Sequence, residues 1–114
     1  MTEAERKTLT DMFRRYKEDK DAQDFFGKDV TFNRPSRAVQ ADLRHVHLND
    51  GRKWDLRLLR HKHVSDMHLV YCKGFFHEDC YLLIALLKDA HNQYRDNLYM
   101  MGLADIAFGF RDRF

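Results

Sequence analysis

The order of apolar patterns along the chain predicts an α+β fold: a small antiparallel sheet packed with an N-terminal and a C-terminal helix. Three observations carry this. A helical apolar stripe opens the chain, three short strand-like runs occupy its middle, and a long apolar helical stretch closes it. At 114 residues the chain suits one domain, 1–114. A chain of that length buries about two-thirds of the surface its unfolded form exposes, so it needs no staples.

The first helix is expected over about Glu3–Lys20. Leu9, Met12, Phe13 and Tyr16 form its apolar stripe, and Thr2 with Glu5 forms a capping box. The stretch "DFFGKDVTFNRPS" then breaks the helix. Pro35 disfavours helix at Arg34, and Phe25, Phe26 and Phe32 are expected to dock on the core. Three strands follow: Leu43–Asn49, Met67–Lys73 and Cys80–Lys88. Side chains alternate across a strand, so Leu43, His45 and His47 should share one face. The third strand is apolar on both faces, which predicts a central strand covered on both sides. The loop "GFFHED" reads as a hairpin. A hairpin centred near Phe76 sets Cys72 opposite Cys80, within reach of a disulfide. Two free thiols are still expected, on compartment grounds. The closing helix is expected as one piece, His91–Asp112. It is apolar almost all round from Leu98 to Phe110, so either another chain covers part of it or it runs through the core.

Hydrophobic residues make up 44% and charged residues 33%, a soluble composition. No apolar run approaches a membrane span, and "MTEAERKTLT" lacks a signal-peptide core, so the cytoplasm is the expected location. The net charge of +2 is uninformative, but its distribution is not. Residues 1–24 carry seven acidic and six basic groups. Residues 52–63, "RKWDLRLLRHKH", hold Arg52, Lys53, Arg57, Arg60 and Lys62 against Asp55 alone. Such a patch fits a polyanion. It equally fits a solvated amphipathic helix, with Trp54 and Leu58 on its apolar side.

Two chemistries suit the histidines. His45 and His47, with His68 from the next strand, could form a three-His metal set. HxH is a short pattern, however, and seven histidines make chance pairs common. The other chemistry is RNA cleavage through the 2′-OH. It needs a base, an acid and cations for the phosphorane charge. Histidine suits the first two roles and arginine the third. The chain offers His45, His47, His68 and His91, with Arg95, Arg111 and Arg113. In "HNQYRDN" His91 and Arg95 stand four apart, the spacing of one helix face, and Tyr94 could stack on a base. An ordinary wet helix surface has the same spacing.

The runs "HVHLN", "HLVYCKG", "YLLIALLK", "HNQYRDN" and the closing "FRDRF", in that order, resemble the YafO-type toxins of bacterial type II toxin–antitoxin systems, within the RelE/ParE superfamily. The likeness is strongest from Leu43 to Phe114. It implies a ribosome-dependent mRNA endonuclease, neutralised by a cognate antitoxin, with the ribosome and mRNA as its other partners. The superfamily usually opens with a strand before its first helix. Here that strand is apparently missing, which would leave Cys80–Lys88 with an open edge unless residues 29–34 fill the place. His68 stands where RelE-type members carry an arginine, and Phe114 ends the chain where they place a tyrosine. The resemblance thus points to His68 and His91 as an acid–base pair, with Arg95 and Arg111 on the phosphate. Arg52, Lys53, Arg57, Arg60, Lys62, His45, His47 and Tyr94 would line or grip the RNA. No metal, cofactor or membrane partner is expected. A gyrase-targeting toxin of the same superfamily and a non-catalytic RNA- or protein-binding module are the alternatives.

Overall fold

The structure, a computed structural model, describes residues 1–18, 25–51, 54 and 59–114. Helix α1 (Glu3–Glu18) leads into strand β1 (Phe26–Thr31), short helix α2 (Ser36–Gln40) and strand β2 (Arg44–Leu48). A single 3-10 turn, Arg60–Lys62, precedes strands β3 (His68–Lys73) and β4 (Tyr81–Leu87). Helix α3 (Ala90–Gln93) and helix α4 (Asn97–Arg113) close the chain. The four strands form one antiparallel sheet in the order β1-β2-β3-β4. The α+β class read from the sequence is the class observed.

Side-chain alternation divides the core into two layers. On one face Phe13 and Tyr16 of α1 pack on Phe26, Val46, Leu48, Leu69 and Tyr71, with Leu9 and Met12 beside them. This is the stripe expected of the first helix, and the Thr2 hydroxyl caps it by accepting from the Glu5 amide at 3.1 Å. On the other face Met100, Leu103, Ala104 and Ala107 of α4 pack on Leu43, Val70, Cys72 and Phe32. Phe25, Phe26 and Phe32 all join the core as expected.

Four expectations need correction. Residues 26–31 do form a strand, but it pairs with β2 at the opposite edge and leaves Cys80–Lys88 uncovered. Strand β4 is accordingly not central. Leu83 and Leu86 meet the α1 layer and Leu82, Ile84 and Ala85 meet the α4 layer, so both faces are apolar on an edge strand. Cys72 lies opposite Leu82, not Cys80. The turn is centred one residue later than Phe76, closed by the Gly74 amide donating to the Cys80 carbonyl at 2.8 Å. Both cysteines are free thiols, and burial pushes the Cys72 thiol up to about 11. Finally, the closing helix is two helices. Asp96 takes an extended conformation as the N-cap of α4 and accepts from the Tyr99 amide at 3.1 Å, which breaks the run at Tyr94–Asp96.

Gly27 is needed where it stands. A Cβ there would strike the carbonyl of His63 and the ring of Trp54. Its absence lets the 59–63 turn lie on β1, with the Lys28 amide donating to the His63 carbonyl at 2.9 Å.

Candidate functional site

Strands β2 and β3 pair with His47 opposite His68 and His45 opposite Val70. Antiparallel pairing and alternation therefore bring three imidazoles to the α4 face of the sheet. The His47 and His68 ring centroids lie 4.0 Å apart and those of His45 and His68 5.1 Å apart. One ring nitrogen from each of the three lies within 4.8 Å of the others. Phe32 and Tyr94 wall the group, with Phe32 4.3 Å from the His45 ring and 4.9 Å from that of Tyr94, centroid to centroid.

The hydrogen bonds fix the state of His68. Its Nε2 lies 2.8 Å from the Ser65 carbonyl, which only accepts, so Nε2 carries the proton. Its Nδ1, 2.8 Å from the Tyr94 hydroxyl, then accepts from it. This is a neutral imidazole, and burial lowers its pKa in agreement. Burial, reinforced by the neighbouring rings, brings His45 down to about 3 and His47 to about 4. Burial likewise pushes the Tyr94 phenol well above its ordinary range. The Nδ1 atom of His45 is buried with no partner.

His91, at the start of α3, is the open member of the group. Its ring sits 5.4 Å from that of His68, centroid to centroid, and its side chain is 69% exposed. Asp66, just before β3, holds it twice. The carboxylate accepts from the His91 amide at 2.9 Å and pairs with the ring through Nδ1. The amide bond, then the ring, keeps the Asp66 carboxyl below its usual range. His91, His68, His45, His47, Asp66, Ser65, Tyr94 and Lys28 line one cleft of about 580 Å³.

Sequence reasoning missed Asp66, Ser65 and Lys28. Asp66 precedes His68 by two residues in "SDMH", but its partner lies 25 residues away, and no local spacing reports that. Arg95 does not share a helix face with His91, because it lies in the break between α3 and α4, where it is exposed. Arg111 lies at the far end of β3, roughly 16 Å along the strand from His68 at the usual rise per residue. There it donates to the Lys73 carbonyl at 2.9 Å and stacks its guanidinium over Phe75. Arg113 is on the last turn of α4, over the Phe114 ring. Of the basic run, Arg52, Lys53 and Arg57 lie outside the described residues. Arg60 donates to the Phe26 carbonyl at 2.6 Å and sits over the Tyr16 ring, while Lys62 is exposed.

The family model described as toxin YafO of type II toxin–antitoxin systems matches residues 14–112. This chain belongs to the YafO toxin family. It is 36% identical to the mRNA interferase toxin YafO of Escherichia coli (strain K12), over an alignment covering 100% of this chain and 91% of that protein. No solved structure matches the chain. As a type II family member it has an antitoxin as its partner. Among the described residues no helix is long and apolar enough to cross a membrane.

Proposed function

We propose that this YafO-family toxin is an endoribonuclease that cuts mRNA on the ribosome and so blocks translation. The single observation that carries the reading is the Asp66–His91 pair at the mouth of an imidazole-lined cleft. The relative's name, mRNA interferase toxin, supplies the substrate class.

The chemistry follows from which nitrogen is held. Asp66 accepts from Nδ1–H of His91, which leaves the lone pair on Nε2 of a largely exposed side chain. A ribose 2′-OH delivered there attacks the adjacent phosphorus as its proton passes to Nε2. The carboxylate then stabilises the imidazolium, as an aspartate does in the Ser-His-Asp arrangement. The P–O5′ bond breaks, the 5′ oxygen takes its proton from solvent water, and a 2′,3′-cyclic phosphate remains. Lys28 lines the cleft and Arg95, exposed, follows its lining residue Tyr94 in the chain, and these two cations are assigned to the developing charge. His68, 1% exposed with both nitrogens engaged, supports His91 from beneath and holds Tyr94. No step is routed through a metal ion: His91 takes the 2′-OH proton, cationic side chains meet the phosphorane charge, and water supplies the leaving-group proton.

Cleavage of mRNA in a translating extract tests this. Cuts with 2′,3′-cyclic or 3′-phosphate ends that persist under a zinc-selective chelator, with the extract's magnesium left in place, are expected, and are expected to vanish with His91→Ala. DNA breaks would indicate a gyrase poison instead. Neither kind of break would indicate a binding module.

A further inference from the structure

We propose that His45, His47 and His68 form a binding site for one divalent transition-metal ion, zinc foremost, separate from the Asp66–His91 pair. Three observations converge on it. One ring nitrogen from each histidine lies within 4.8 Å of the others. Ser65 already holds the second nitrogens of two rings: its carbonyl lies 2.8 Å from Nε2 of His68 and 2.9 Å from Nδ1 of His47, and its amide also lies 2.9 Å from that Nδ1. A metal-bound histidine characteristically donates its other N–H to such a carbonyl or to a carboxylate. The third observation is the buried Nδ1 of His45, which has no hydrogen-bond partner. A buried polar atom left unpaired costs stability, and a metal ion would satisfy the ring.

The geometry is close to what zinc needs. With Zn–N near 2.0–2.1 Å and tetrahedral angles, ligand nitrogens sit roughly 3.3 Å apart. The three rings would therefore draw together by up to about 1.5 Å. They sit on adjacent, paired strands, so this takes side-chain rotation and no change of register. Nε2 is the ligating atom of His47 in the tautomer whose Nδ1–H donates to the Ser65 carbonyl, and the Ser65 amide, 2.9 Å from that Nδ1, then gives up its bond to it. Nδ1 is the ligating atom of His68, because Nε2 donates to the same carbonyl. The Tyr94 hydroxyl now bonded to that Nδ1 at 2.8 Å moves aside on binding. The fourth position opens to the cleft, where water or a substrate oxygen completes the shell. Imidazole donors with no thiolate favour zinc, copper or nickel over calcium or magnesium.

Cobalt(II) titrated into the purified full-length toxin is the test, because tetrahedral cobalt has intense visible d–d bands. One equivalent is expected to give those bands, and zinc to abolish them by displacement. His45→Gln and His47→Gln are each expected to remove the signal while far-UV circular dichroism stays unchanged. His61→Ala and His77→Ala, at exposed positions, serve as controls and are expected to keep it. Tyr94→Phe removes the competing hydroxyl and is expected to tighten binding several-fold. Absent bands, or bands that survive both glutamine variants, would overturn the site. Weaker binding by Tyr94→Phe would overturn the use of His68 Nδ1. The cutting mechanism is judged apart from this. Cleavage lost under a zinc-selective chelator with magnesium kept, and restored by zinc, would sink the metal-free reaction and leave the cobalt bands of the glutamine variants to judge the cluster.

Discussion

At the scale of single residues, His91 differs from the other histidines of the cleft because a carboxylate holds it at the surface. Losing a positioned acid–base group costs about 10²–10⁴ in rate. His91→Ala is therefore expected to lose that much in single-turnover cutting while still co-sedimenting with ribosomes. Asp66→Asn should leave binding intact and slow cutting, because an amide can stabilise the wrong tautomer and offers no charge to the imidazolium. Full-rate cutting by either variant would remove the pair from the mechanism. The buried rings report on stability. His45 and His47 take up a proton near pH 6.5 when unfolded, but only near 3 and 4 respectively when folded. The unfolded chain thus binds more protons between those values, and folding stability falls as the pH drops through that window. It is fully present above about pH 7. The urea midpoint in EDTA-containing buffer should fall from pH 7.5 to pH 5, and the slope should flatten in His47→Gln. A midpoint independent of pH over that range would show that these rings are not held neutral.

At the scale of elements, the basic run and the last helix have separable tasks. Phosphate contacts position a nucleic acid and make its binding salt-dependent. Arg52→Ala with Arg57→Ala should weaken ribosome association and flatten its salt dependence without changing the cutting rate at saturation. Unchanged association would take the segment out of the RNA interface. Arg60→Ala should instead lower stability, since this guanidinium ties the turn to the Phe26 carbonyl and lies over Tyr16. Helix α4 leaves Leu98, Met101 and Ile106 exposed opposite its packed face, so it does not run through the core. The antitoxin of a type II pair is expected to cover that outer face, as an amphipathic helix, or to add a strand along β4. Hydrogen exchange should slow in residues 95–114 or along Cys80–Lys88 when the antitoxin is added. No protection in either stretch would place it elsewhere. The helix stripe of α1 and the shared face of His45 and His47 were readable because periodicity is local. The edge position of β4 was not. An edge strand whose two faces are both covered has the same apolar pattern as a central one, and only pairing tells them apart. The break at Tyr94–Asp96 was signalled by Asp96 and Asn97, both good caps, but the apolar run that begins at Leu98 and the helical spacing of His91 and Arg95 masked it.

At the scale of the whole molecule, the sheet separates stability from chemistry. On the α1 face Asp29 accepts hydrogen bonds from the Tyr16 and Tyr71 hydroxyls, each at 2.7 Å, and pairs with Lys17 at 3.1 Å. Phe13 packs its ring on those of Tyr16, Phe26, Tyr71 and Tyr81. None of these groups reaches the histidine cleft, which lies across the sheet. On the α4 face Phe32 does both jobs, since it belongs to the core and also packs against His45 and Tyr94. Truncating a buried phenylalanine costs about 3–5 kcal/mol wherever it sits. Phe13→Ala and Phe32→Ala should therefore shift urea unfolding by similar amounts. Their effects on cutting, normalised to the folded fraction at a temperature where each variant is mostly folded, should differ. Phe13→Ala is expected to cut at the parent rate per folded molecule. Phe32→Ala is expected to cut more slowly, because Tyr94 loses a wall and the His68 ring loses the hydroxyl that fixes it beneath His91. Equal rates per folded molecule in both variants would mean that the cleft tolerates movement of its floor and that His91 acts with Asp66 alone. A slow Phe13→Ala would mean that the two faces of the sheet are coupled, through the paired strands β2 and β3 that carry residues of both.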